Sequence, residues 1–152
     1  MLCLLFEIGG DRYALEATNV VEVLPLVDLT RIPQAPAEVA GVCNYRGAPL
    51  PVIDISQLAN GSPARPRLST RIIVVEYDDG AGIRRQLGLL VERATETARK
   101  PESDFVASGF TNLWAPYLGP MAADGRGLTQ RIDVAKLLTP YLSELLFTTR
   151  AA

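Results

Sequence analysis

The sequence predicts a mainly β fold built as two small barrels, on three observations. Short runs rich in Val, Ile and Leu are separated by turn signals containing Gly, Pro and Asp, the pattern of a sandwich or barrel. Segments of the first half recur in order in the second: Phe6-Glu7-Ile8 as Val75-Glu76-Tyr77, Ala14-Leu15 and Glu22 as Gly88-Leu89 and Glu96. Ile53-Asp54-Ile55-Ser56-Gln57-Leu58 returns as Ile132-Asp133-Val134-Ala135-Lys136-Leu137, and the offset between copies grows slowly, as loop insertions make it grow. Units of about 70 residues are marginal alone, so the two should share an apolar seam. Closing each into a barrel removes exposed sheet edges.

Taken in order, Cys3 to Ile8 is an apolar strand, Gly9-Gly10-Asp11 a turn that tolerates positive φ, and Arg12 to Ala17 the returning arm. Thr18 to Pro25 has the β-branched density of a strand around a lone acid, Glu22. Pro33 and Pro36 bound a loop, and proline followed by Gly41 predicts one or two helical turns over 35–41. Val42–Tyr45 and Leu50–Ile55 form a hairpin whose turn carries Arg46 and Gly47, with Ser56 as N-cap of a short helix. Gly61, Pro63 and Pro66 mark a surface loop. Arg71–Tyr77 and Gln86–Glu92 are strands about an Asp79-Gly80 turn, while 100–111 is rich in loop. Tyr117–Ala123 and Leu128–Val134 flank Asp124-Gly125 as the last hairpin. Thr139-Pro140 is an N-cap and first helical position, followed by a terminal helix with Leu142, Leu145 and Leu146 on one face.

Bulk properties exclude several functions. Of 152 residues, 48% are hydrophobic and 21% charged, and the formal charge is −2, which offers no electrostatic reason for nucleic acid or an anionic membrane as partner. The basic residues are almost all arginine, which coding bias explains without any need for bidentate contacts. No apolar run approaches the ~18 residues of a membrane span, and the N-terminus lacks the basic region of a signal peptide. A cytoplasmic protein without direct membrane insertion is expected. Cys3 and Cys43 are too far apart for a disulfide framework or a metal-ligand spacing and read as small buried hydrophobes. The chain has no histidine, which removes the commonest general base and the usual zinc ligand. No catalytic residue, cofactor or metal is expected.

Four groups of residues remain as candidates. Asp54 and Asp133 would suit a small carboxylate-dependent hydrolase, but both stand at strand ends before short helices, where a carboxylate caps backbone N–H groups. Gly9-Gly10, Gly80-Ala81-Gly82 and Gly125-Arg126-Gly127 lack the Lys-Ser/Thr and long helix of a phosphate loop and read as turns. Trp114 and Tyr117 read as second-lobe core more than as interface anchors. Arg46 should stand at the barrel lip, where its guanidinium can fork onto a carboxylate. Glu22 is its candidate partner, in an internal pair or jointly facing another protein. The turn Asn44-Tyr45-Arg46-Gly47 has no evident copy in the second half.

The stretch Gly41-Val42-Cys43-Asn44-Tyr45-Arg46-Gly47, continuing into Leu50-Pro51-Val52-Ile53-Asp54, resembles the G-V-x-N-x-R-G-x-x-x-P-V-I-D signature of the CheW-like family of chemosensory coupling proteins. Val20-Val21-Glu22-Val23 and Leu29-Thr30-Arg31-Ile32-Pro33-Gln34-Ala35-Pro36 are similar to two further segments, and Gly88-Leu89-Leu90-Val91 and Ile132-Asp133-Val134 to weaker ones. The resemblance implies a single domain over 1–152, made of two SH3-like five-stranded β-barrel lobes related by a pseudo-twofold. Lobe 1 would cover about 10–66 and lobe 2 about 67–138, with the N-terminal strand a candidate for exchange into lobe 2 and 139–148 as terminal helix. It also implies a non-catalytic adaptor between the cytoplasmic tip of a methyl-accepting chemoreceptor and the regulatory domain of a CheA-type histidine kinase, recruited to membrane-bound receptor complexes. A scaffold in a non-flagellar pathway (surface sensing, twitching or cyclic-dinucleotide control) is the alternative. The positions matching the family's contacts are Val20, Glu22, Asn44, Arg46 and Gly47. The second half departs from the pattern: Glu96-Thr97 replaces Glu-Val, no Gly-Val-Ala precedes the last hairpin, and Gln130-Arg131 puts polar residues in a usually apolar strand.

Overall fold

The computed structural model describes residues 1–78, 82–107, 109 and 113–147. Among the described residues, nine strands run in chain order: β1 (Leu2–Ile8), β2 (Asp11–Glu16), β3 (Val20–Pro25), β4 (Val39–Tyr45), β5 (Ala48–Asp54), β6 (Arg71–Asp78), β7 (Arg84–Arg99), β8 (Leu118–Asp124) and β9 (Gly127–Ile132). Helix α1 (Ile55–Asn60) follows β5, and α2 (Pro140–Phe147) ends the described chain. The expected Asp79-Gly80 turn lies outside the described residues.

The strands pair as two equivalent sets. In the first, β3 pairs with β6, β6 with the early part of β7, β5 with β4, and β5 runs parallel to β7 with Ile53 opposite Leu89. In the second, the later part of β7 pairs with β1, β1 with β2, β8 with β9, and β9 runs parallel to β2 with Gln130 opposite Tyr13. Each set has five strands because the 16 residues of β7 serve both. These are the two SH3-like lobes, and the correspondence reaches single hydrogen bonds. Thr30 bridges to Val42 on β4, as Val106 bridges to Met121 on β8. The Asp54 amide donates to the Glu38 carbonyl and the Asp133 amide to the Tyr117 carbonyl, both at 2.8 Å.

This pairing crosses the expected division near residue 66. The first hairpin of each sequence repeat leaves its own half: β1–β2 complete the lobe of β8 and β9, while β6 and early β7 complete that of β3 to β5. The physical reason is alternation with both faces covered. On β6, Ile72 and Val74 point into the first barrel with Cys43, Leu50, Val52 and Leu90, while Ile73, Val75 and Tyr77 join the seam. On β1, Cys3 and Leu5 face Ala14 inside the second barrel, and Leu4, Phe6 and Ile8 enter the same seam. Both cysteines are buried thiols, whose pKa burial raises.

Three local expectations are corrected. No helix forms at 35–41: Val39 turns back onto the Pro36 carbonyl at 3.0 Å and pairs with Ile53, the sheet winning over a segment too short to nucleate a helix. The N-cap of α1 is Asp54 rather than Ser56, which is buried. The strand expected at 86–92 runs on to Arg99. A bulge at its middle, where Arg93 takes φ 53°, lets it turn from one barrel into the other, and Arg93 Nε pairs with Glu7 at 2.8 Å. Helix α2 starts as expected, with the Leu142 amide donating to Thr139 Oγ1 at 3.2 Å. It buries Leu142 in the seam and stacks Phe147 on Tyr77 of the first lobe, ring centroids 5.6 Å apart.

Candidate functional site

A two-residue hairpin of the type I′ class, whose twist matches that of the strands, takes positive φ at both central residues. Arg46 and Gly47 do so, at 51° and 84°, between the paired residues Tyr45 and Ala48. The Asn44 side-chain carbonyl fixes the turn by accepting from the Gly47 amide at 2.8 Å. The strand before it anchors the site, since Tyr45 is only 7% exposed and packs in the first barrel's core. Glu22 arrives from β3, opposite Val74, at a bulge that follows Val20.

One oxygen gathers these parts. Glu22 Oε1 accepts from Tyr45 Oη at 2.8 Å and from Arg46 Nη2 at 2.7 Å, and the guanidinium lies over the Tyr45 ring, 5.4 Å from its centroid. The Tyr45 and Arg46 donors hold the Glu22 carboxyl below its ordinary pKa, and the same carboxylate raises those of Tyr45 and Arg46. The Arg46 side chain is still 75% exposed, so the lip presents a fixed cation to solvent.

Of the candidate positions, Glu22, Asn44, Arg46 and Gly47 meet here. Val20 packs partly buried against the seam. The apolar surface of β3 comes instead from Val21 and Val23, both exposed. Tyr45 was read only as part of the Asn44–Gly47 turn, with no role of its own, although an aromatic with a hydroxyl at the end of an apolar alternation was the available signal.

The turn also has a copy after all. At β8–β9, Asp124 pairs with Gly127 across Gly125 and Arg126, and Arg126 Nη1 reaches Glu96 Oε1 at 3.1 Å. Glu96 is the repeat of Glu22. The arginine sits one place later in the turn, which hides the match from a residue-by-residue comparison. Where the first lobe has Tyr45, the second has Asp124, which accepts from Arg12 at 3.2 Å, Lys100 at 2.9 Å and the Arg126 amide at 2.7 Å. Arg12, Lys100 and that amide, in this order, hold its carboxyl far below the usual range.

The paired aspartates serve the backbone. Asp54 accepts from the Gln57 and Ala64 amides at 3.1 and 2.9 Å, and Asp133 from the Ala135 amide at 3.1 Å. Tyr117 is buried as expected, but Trp114 is 92% exposed and is not core. Among the described residues no group of His, Cys, Asp or Glu could hold a metal, and no helix is long and apolar enough to cross a membrane.

The family model of the CheW-like domain matches residues 2–140. The chain belongs to the CheW-like family. It is 31% identical over 126 residues to the chemotaxis protein CheW of Rhizobium meliloti, covering 80% of this chain and 77% of that one. It is 30% identical over 99 residues to the chemotaxis protein CheW of Helicobacter pylori, 65% of this chain and 57% of that one. The chain thus spans little more than half of the latter CheW protein. The crystal structure of scaffolding protein TtCheW from Thermoanaerobacter tengcongensis superposes with a TM-score of 0.78 at 24% identity, covering 91% of this chain and 87% of that one, and shows the same fold. In this CheW-like chain, Gln130 and Arg131 are accommodated individually. Gln130 Nε2 donates to the Gly119 carbonyl at 3.1 Å, and Arg131 pairs with Glu16 and Glu102.

Proposed function

We propose that this chain is a non-catalytic adaptor in a chemosensory complex, coupling the cytoplasmic tip of a methyl-accepting receptor to the regulatory domain of a CheA-type histidine kinase. The observation that carries the reading is the Arg46 guanidinium, exposed yet held at the first-lobe lip by Glu22 beside the Tyr45 ring. A pre-set cation held by Glu22 of β3, together with the exposed Val21 and Val23 of the same strand, offers both a polar anchor and apolar area, as docking surfaces do. Asn44 and Gly47 shape the turn, Glu22 and Arg46 meet the partner, and Val20 backs β3 from the seam. The family and the hydrogen bonds by which Asp54 and Asp133 cap backbone amides support an adaptor over a hydrolase. The protein acts in the cytoplasm at membrane-bound receptors.

Isothermal titration of the purified chain with a receptor-tip fragment and with the kinase regulatory domain tests this. Binding to at least one, weakened by Arg46→Glu in a variant that stays folded, is the expected result. No binding to either overturns the adaptor reading, and an early-melting variant reassigns Arg46 to the fold.

A further inference from the structure

The lip would close without a tyrosine. The turn asks only for positive φ at Arg46 and Gly47, and an aliphatic side chain could fill the barrel interior where the Tyr45 ring packs. The hydroxyl adds something that packing does not use. It emerges from a ring that the barrel immobilises and donates to the same Glu22 oxygen that Arg46 engages. An exposed arginine otherwise samples many rotamers, and a partner must offset that ordering when it binds. Here the ring beneath the guanidinium and the carboxylate beside it have already restricted them.

We propose that Tyr45 is a positioning residue for docking: locked in the barrel, it holds Glu22 and lays Arg46 in one geometry before a partner arrives. This rests on the adaptor reading. It is specific to the first lobe, because Asp124 at the corresponding place turns to Arg12 and Lys100 and makes no contact of this kind with Glu96. The two lips share an arginine–glutamate pair and differ in what orders it.

Tyr45→Phe keeps the ring and deletes the lock. Two readouts are compared: the titration of the Glu22 carboxyl carbon by NMR in the free protein, and affinity for a receptor-tip fragment by calorimetry. The Glu22 titration is expected to move up toward that of an ordinary glutamate, and affinity to fall about 3- to 10-fold. Glu22→Gln keeps an acceptor for both donors and should bind better than Glu22→Ala, a rescue that a purely structural role does not give. An unmoved Glu22 titration in Tyr45→Phe overturns the lock, as does a moved titration with unchanged affinity. Should Tyr45→Phe not fold, Glu22→Gln binding no better than Glu22→Ala overturns it. A wild-type chain that binds neither receptor tip nor kinase domain overturns the adaptor reading instead, and the Glu22 titration still reports whether Tyr45 holds the lip.

Discussion

Arg131 and Val52 occupy the same place in the two barrels. Each lies opposite a small residue on its parallel neighbour, Ala14 for Arg131 and Gly88 for Val52. Val52 is fully buried in a cluster that includes Leu90. Arg131 reaches Glu16, the repeat of Leu90, at 3.3 Å, and its guanidinium lies 5.3 Å from the Phe105 ring centroid. An apolar pair in one interior is an ion pair in the other. With the two side chains 21% and 33% exposed, the pair is half-solvated and adds little net stability. The combined Arg131→Val and Glu16→Leu variant, copying the first lobe, should therefore be as stable as wild type or more so in urea unfolding. Arg131→Val alone should lose about 1–2 kcal/mol, because Glu16 is left beside an apolar wall.

The same comparison predicts a directional effect at the small residues. A Cβ on Gly88 would stand 2.9 Å from Val52 Cγ2 and 3.0 Å from Ile72 Cγ2, closer than packed carbons approach. Gly88→Ala should destabilise by about 1–3 kcal/mol, read from the urea midpoint, even though alanine is native at the equivalent position 14.

Acid should weaken the second lobe through Asp124. Its folded-state pKa lies below its unfolded value, so its contribution is complete above the unfolded value and is lost as pH falls through the folded one. Asp124→Asn should melt earlier than wild type at neutral pH, and the gap should narrow steadily below about pH 4. A gap that is constant with pH would refute the assignment to charge.

At the first lip, the pair can be inverted. Glu22→Arg with Arg46→Glu restores opposite charges across the same distance, so folding should match wild type by circular dichroism. Receptor-tip binding should stay as weak as in Arg46→Glu alone. Recovery of binding would mean that the pair matters and its polarity does not.

The duplicated β framework was legible because alternation and turn residues are local signals. Ile53-Asp54 and Ile132-Asp133 announced matching strand ends, and both aspartates cap as expected. Beyond the N-terminal strand, already a candidate for exchange, the reciprocal crossing of whole hairpins was not legible. Phe6-Glu7-Ile8 and Val75-Glu76-Tyr77 align equally well whichever lobe each one enters, and only two-sided burial decides between them. Arg46 and Glu22 were found as a pair because each is a lone charge in an apolar setting. Arg126 was missed because its turn shifts by one residue, and Trp114 was misjudged because aromatic size signals burial only on average.

The exchanged hairpins also order events in time. During synthesis, β1 and β2 emerge first, yet the contacts that close their barrel lie far ahead, with Glu16 and Arg131 separated by 115 residues. The other barrel, built from β3 to early β7, can close while β8 and β9 are still unmade. The opening hairpin must wait with its Leu4, Phe6 and Ile8 edge uncovered until β6 and β7 appear. Completing the second lobe therefore requires long-range loop closure that neighbouring strands cannot supply, whereas the first lobe is assembled from strands contiguous in sequence.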